Sequence, residues 1–414
     1  MLASVGTPQS VSADLLLLSR IKLHMREELS HIPNYTCLET ISRFRNAPGS
    51  RSPTQRQLTP LDTVRLEIVY SNHREWYGAP GDRNLSVDDP GTLIGTGMMG
   101  NGAFAATLNN ILEAASFTYR GEENLGGRMA VKYDFRLRRL LNAFRISIPG
   151  GEGTVGEEGS FWADPQSLDL IRLKSRADEI PPSLPLAEAS ESVNYARMRI
   201  GDDNVLLAQQ AELHMLHATG MESYNRLDFT HCHAYSAHSD LRFDPKPEEP
   251  AQASIPNTAD GAGQNVPALL LVAVELTTSI SDQDSVGTLI EGKVSSDVLR
   301  KGKLIVPRGS AVRGRIRRLE RDEGGGAFIL ALEFTEVDVP AGPLPFYADF
   351  LRIDKSTGIQ PSLFERVLVS GIKTGEETIA LPELPGVASL LVSGASFTVP
   401  SGFRMVWRTR GRIQ

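Results

Sequence analysis

Apolar residues in the first thirty positions recur at intervals of three and four. Leu15, Leu18, Ile21, Met25 and Leu29 form one stripe, which predicts an amphipathic helix over 12–29, capped by Ser12 and ended by Pro33. From Tyr35 the period shortens to two. Tyr35–Arg45 and Leu61–Tyr70 alternate as strands, and in the second Val64, Leu66, Ile68 and Tyr70 share a face. His73–Ala79 is a third strand. The helical period returns at Ala103–Ala115, where Phe104, Thr107, Leu108, Ile111, Leu112 and Ala115 make an apolar stripe. Strand-like alternation then occupies 116–121, 128–138, 143–148, 154–163, 168–176, 188–200, 204–217 and 221–236.

Residues 244–265 carry Pro245, Pro247, Pro250 and Pro256 and no period, as in an extended solvated linker. Strands resume at 267–279, 286–294, 303–307, 310–320, 326–337, 344–352, 363–370, 389–393 and 396–408. The expected fold class is therefore mainly β with two or more α-helices. The expected division is a disordered N-terminus (1–11), a helix-bearing domain (12–243), the linker (244–265), a second β domain (266–408) and a tail (409–414).

The chain has 414 residues, 41% apolar and 22% charged, enough for two cores. Its net charge is −7. Residues 266–414 hold 18 basic and 17 acidic side chains, so the excess of acid lies before them. Neither part is the strongly basic body of a general nucleic-acid binder. No run approaches the roughly 18 apolar residues of a membrane helix. Met1–Thr7 is short and not basic, so no signal peptide is visible in this chain. The two cysteines, Cys37 and Cys232, stand near the two ends of the first domain. One long-loop disulfide and two separate buried thiols are both open readings.

The segment Phe161-Trp162-Ala163-Asp164-Pro165-Gln166-Ser167-Leu168 places an acceptor and a φ-fixing proline in a tight turn between strands. With the order helix, three strands, helix, eight strands, it resembles the LolA/LolB/RseB superfamily of periplasmic half-barrels. Farther on, Val266-Pro267-Ala268-Leu269 and Leu304-Ile305-Val306-Pro307-Arg308-Gly309-Ser310-Ala311-Val312-Arg313-Gly314 interrupt apolar strands at set places. That pair resembles the C-terminal β-barrel of the TrbI/VirB10 family, though no helical insertion is evident between Leu351 and Leu363.

These resemblances imply an antiparallel half-barrel wrapped on helices plus a second small β-barrel. They also imply a non-catalytic protein of the bacterial envelope, periplasmic or secreted. Its guest would be a lipid, lipoprotein or apolar peptide, and its second domain would serve assembly or anchoring to an envelope protein partner. A half-barrel has too few elements to cover its own concave face, so helices or a guest must fill it. Trp76, Phe104, Leu108, Ile111 and Phe161 are the candidates for lining that space.

Other chemistry is sparser, and no cofactor is expected. Gly95-Thr96-Gly97-Met98-Met99-Gly100 matches a dinucleotide loop, but a turn, not a strand, precedes it and the following strands read as antiparallel. His231 and His233, at i and i+2 of a strand, would share a face and offer two metal ligands, the basis of a rival reading as a secreted metal-dependent hydrolase. Arg313, Arg315 and Arg317 would form a basic strand face. A third reading, an OB-like nucleic-acid binder, rests on them, although no aromatic stacking residues intervene.

Overall fold

The computed structural model describes residues 12–46, 58–71, 74–81, 104–142, 145–148, 150–235, 265–321, 326–354, 366–367 and 386–411. The chain divides into two compact units, residues 1–234 with 285–287, and residues 235–284 with 288–414.

In the first unit the elements run α1 (Ala13–Ser30), β1 (Tyr35–Asn46), β2 (Thr59–Ser71), β3 (Arg74–Gly78), α2 (Phe104–Ala114), β4 (Ser116–Leu125), β5 (Arg128–Leu137), β6 (Arg145–Ile148), β7 (Gly151–Thr154), β8 (Gly156–Ala163), β9 (Leu170–Asp178), β10 (Leu186–Ile200), β11 (Asp203–His217) and β12 (Glu222–Ala234). Ten strands form one antiparallel sheet in the order β3-β2-β1-β12-β11-β10-β9-β8-β5-β4, and β6 pairs with β7 apart from it. Each neighbour in that sheet is also near in sequence, with one exception: the β1–β12 seam joins the first strand to the last.

The stripe of α1 is narrower than its spacing suggests. Leu18, Ile21 and Met25 are buried, whereas Leu15 is 52% exposed. Ser12 makes no side-chain cap; its carbonyl accepts from the Leu16 N–H at 3.2 Å. On α2, Leu108, Ile111 and Leu112 are buried. Tyr133 Oη donates to the Asp14 carbonyl at 2.8 Å, and Lys22 Nζ lies 5.1 Å from the Phe117 ring centroid, so α1 rests on the face formed by β4 and β5.

The turn after Trp162 works as its residues dictate. Asp164 Oδ1 accepts the Gln166 and Ser167 N–H groups at 2.8 and 3.1 Å, and Leu168 closes the turn with φ 67°. Burial opposes ionisation of Asp164, but these donors and Arg128 outweigh it and hold the carboxyl below its usual range. Asp164→Ala is expected to lower the unfolding free energy by about 2 kcal/mol, measured by urea denaturation.

In the second unit follow β13 (Leu271–Leu276), β14 (Ile280–Ser281), β15 (Leu289–Val294), β16 (Val298–Arg300), β17 (Lys303–Val306), β18 (Ala311–Arg321), β19 (Ala327–Val339), β20 (Gly342–Pro345), β21 (Ala348–Ile353), β22 (Arg366–Val367), β23 (Val387–Ser393), β24 (Thr398–Val399) and β25 (Arg404–Thr409). Nine of them make a sheet ordered β21-β25-β13-β15-β18-β19-β23-β22, with β20 added on β19. Its core holds Val274, Ile316, Leu332 and Trp407, with Phe334 and Phe350 edge-on to Trp407 at 5.4 and 5.7 Å.

The two motifs of this unit are turns and close approaches. The Gly309 N–H donates to the Val294 carbonyl at 2.7 Å, and the Arg308 N–H donates to Asp297 at 2.7 Å. A Cβ at Gly314 would fall on the Glu333 carbonyl oxygen, so the glycine sets how closely β18 and β19 pack. The strand expected from 267 begins only at Leu271, because Thr409 Oγ1 donates to the Pro267 carbonyl (2.6 Å) and ties the preceding residues into a turn.

Candidate functional site

Register fixes which side chains share a face of the first sheet. Ile68 lies opposite both Cys37 and Tyr77, and Glu39 lies opposite Leu66 and Phe229. Antiparallel partners project to the same side, so these residues, with Ile41, Val64, Leu173 and Phe161, form the apolar face. Two helices cover it. Asp169 accepts from Arg197 (2.7 Å) and bonds His24 of α1 (2.9 Å), while Arg197 also pairs with Glu28 at 3.0 Å. Asn110 of α2 donates to Asn142 (2.8 Å), which donates in turn to Glu157 (2.8 Å).

Between the helices and the sheet a cavity of about 40 Å³ remains, lined by Met25, Leu29, Ile68, Leu108 and Phe229 among others. That volume suits a water and is far too small for an alkyl chain. The apolar space is thus filled by the protein's own helices.

The cavity has a polar end. Glu75 and Tyr195 line it. Glu75 accepts from Tyr77 Oη at 2.7 Å. Beside it Glu39 is 0% exposed, and neither of its carboxyl oxygens has a hydrogen-bond partner among the described residues. Burial, and then the charge of Glu75, push Glu39 up to about 8. Burial raises Glu75 to about 7 against the opposing Tyr77 bond. Sequence reading overlooked these acids. The signal was present: Glu39 sits at the inward register between Cys37 and Ile41.

The expected lining residues separate. Leu108 lines the cavity and Ile111 is buried beside it on α2. Phe161 is buried elsewhere on the same face, stacked on Tyr133 with centroids 5.2 Å apart. Trp76 does not line the cavity. It lies opposite Val69, one residue out of phase with Ile68, and so faces the other side, under Arg74 at 4.8 Å. The side chain of Phe104 and the glycine loop 95–100 lie outside the described residues, as do the linker 244–264 and residues 355–363.

On that other face a polar groove of about 910 Å³ is lined by Arg120, Asp134, Ser160, Lys174 and His214 among others. Two of its charge pairs close within it: Arg120 pairs with Asp134 at 2.6 Å and Arg176 with Glu158.

Cys37 and Cys232 are bonded to each other across the β1–β12 seam, 195 residues apart in sequence. The neighbouring histidines depart from expectation. Between Leu38↔Thr230 and Thr36↔His233 the ladder bulges, and His231 takes φ 52°. Regular alternation is lost there, so the two imidazoles are not presented as i, i+2 neighbours on a flat strand. Both residues are exposed, and His233 Nδ1 meets the His231 carbonyl at 2.9 Å. Among the described residues no three His, Cys, Asp or Glu side chains are grouped to hold a metal.

The arginines of β18 do not share one open face either: Arg313 and Arg315 keep phase opposite Glu291 and Leu289, but the bulge at Ile316/Arg318 takes Arg317 out of it. Arg315 is 7% exposed. Arg313 binds Glu336 and Asp338 at 2.8 Å each, and Arg317 pairs with Glu333 at 3.4 Å. Acids of β19 therefore neutralise the basic stripe. No described helix is long and apolar enough to cross a membrane.

No known family model matches the chain, and no curated protein does. Three solved structures similar to it are an outer membrane lipoprotein-sorting protein domain from Vibrio parahaemolyticus, a DUF1329 family protein from Desulfovibrio piger and ComB10 of the Com type IV secretion system of Helicobacter pylori. The first is 10% identical over 53% of this chain and 93% of its own, with a TM-score of 0.30. The second is 12% identical over 56% and 98%, with a TM-score of 0.29. ComB10 is 15% identical over 35% and 86%, with a TM-score of 0.20.

Proposed function

We propose that the first unit is a non-catalytic carrier or sensor of the cell envelope, and that an alkyl chain from a lipid, lipoprotein or apolar peptide replaces α2 on the sheet. The observation that carries this reading is the way the apolar face is covered. Among the described residues nothing pairs with the outer edges of β3 and β4, and one short helix, through Leu108, Ile111 and Leu112, fills much of what a closed barrel would enclose.

Magnitudes favour an exchange. Exposing three such side chains costs about 6 kcal/mol, and burying a ten-carbon chain returns about 8 kcal/mol at roughly 0.8 kcal/mol per methylene. A disulfide between Cys37 and Cys232 suits an oxidising compartment, which supports a periplasmic or secreted location. The second unit would then serve assembly or anchoring. Leu299 and Leu304, cross-strand partners on β16 and β17, are both exposed on it, an apolar spot suited to a partner.

Competition between helix and guest makes a test. Ile111→Ala weakens the seating of α2 and is expected to tighten binding of 1-decanol by about tenfold or more, even as the melting temperature falls. Calorimetric titration of the full chain measures the first and a thermal scan the second. Unchanged or weaker binding in the variant means the helix is not the competitor, and the reading fails.

A further inference from the structure

Two acids stand at one end of the cavity under the helices: Glu75 lines it, and Glu39, one inward position along β1 from the lining residue Cys37, lies just behind the lining. Glu39 is wholly buried at the inward register of β1, with both carboxyl oxygens lacking a hydrogen-bond partner among the described residues. Tyr195, whose hydroxyl is likewise buried without a partner among them, lines the cavity together with Glu75. Arg43, four residues along the same face, cannot serve as the counter-charge, because its Nε donates to Asp62 at 2.6 Å. A buried acid demands either a proton or a cation.

We propose that the guest supplies the cation: the cavity takes a single-chain amphiphile with a positively charged amine head, whose ammonium donates hydrogen bonds to Glu39 and Glu75 while its chain takes the place of α2. This inference rests on the cavity reading above and narrows it to one class of guest. Acids and donors at the site divide the work. Tyr77 already satisfies one oxygen of Glu75, and among the described residues nothing bonds either oxygen of Glu39. A carboxylate-headed chain would place a third acid there and is disfavoured.

The proposal has a signature that greasiness alone lacks. Glu39, pushed up to about 8 by burial and by Glu75, holds its proton at pH 7. An ammonium docking against the pair displaces that proton, and the roughly half proton on Glu75, to solvent, so amine binding releases between about one and two protons per guest and alcohol binding releases none.

Three ten-carbon probes, decylamine, 1-decanol and decanoate, are titrated into the full chain at pH 7 by calorimetry in two buffers of different ionisation enthalpy. Decylamine is expected to bind about tenfold tighter than 1-decanol, and decanoate weakest, with proton release only for the amine. In Glu39→Gln the preference for the amine over 1-decanol is expected to shrink to about threefold or less, and the proton release to fall to the roughly half proton that Glu75 still holds at pH 7. Equal binding of amine and alcohol, or an amine preference that survives Glu39→Gln, overturns the inference and leaves the cavity reading in place. No binding of any probe overturns both.

Discussion

Replacing both Cys37 and Cys232 with alanine is expected to lower the stability of the first unit by about 5 kcal/mol, because the bond closes a loop on the order of 200 residues. Its position adds weight to its length. Every other ladder of the ten-stranded sheet joins strands close in sequence, most of them consecutive. Only the β1–β12 seam, from Leu38↔Thr230 to Asn46↔Glu222, must be found across the whole unit. Closing that seam in a free chain carries the largest entropy loss in the fold, and the disulfide removes it from the unfolded state. Peptides of β1 and β12 followed by hydrogen exchange against urea report this unit alone. Their protection midpoint is expected to fall by about 2 M in the double variant. A fall equivalent to less than about 1 kcal/mol would show that the seam is held by its register and packing without the bond.

The same seam shows what was legible in the sequence. A period of two over Leu61–Tyr70 and of 3.6 over Ala103–Ala115 revealed strand and helix directly, since one face of each is buried against a core. Hence the fold class, and the element order of the first unit apart from the four-residue β7, could be read from the sequence. Two cysteines at the ends of the strand series hinted at a closing bond, although spacing alone left free thiols open. Local exceptions to alternation were invisible. The bulges at Thr36/Leu38 and at Ile316/Arg318 add one residue to β12 and to β18, and a single residue is enough to take His231 or Arg317 out of its expected phase. Strands of two or three residues, such as β14, β16 and β24, are too short to show a period. Trp76 was misplaced for a related reason. Aromatic character marks a residue as wanting cover but does not say which side of the sheet provides it.

Glu39 was overlooked because acids in strands are ordinarily solvated, and its inward register contradicts that habit. Its cost to the fold is the second large effect expected here, and its sign follows from linkage. The folded-state value, about 8, lies above the ordinary 4.5, so the folded protein holds this proton more tightly than the unfolded chain. The stability associated with it is fully present below about pH 4.5 and drains away as the pH rises through 8. At pH 7.5 the loss is about 4 kcal/mol relative to pH 4, and Glu75, itself raised to about 7, deepens it in the same direction. Glu39→Gln keeps the size and polarity of the protonated acid and cannot ionise. Parent and variant are therefore expected to match at pH 4.5, and the variant to be more stable by about 3–4 kcal/mol at pH 8. Urea midpoints for β1 and β12, taken by hydrogen exchange across that range, provide the comparison. Parallel curves for the two proteins would mean that Glu39 finds a counter-charge in the folded chain, and with it the need for a cationic guest would disappear.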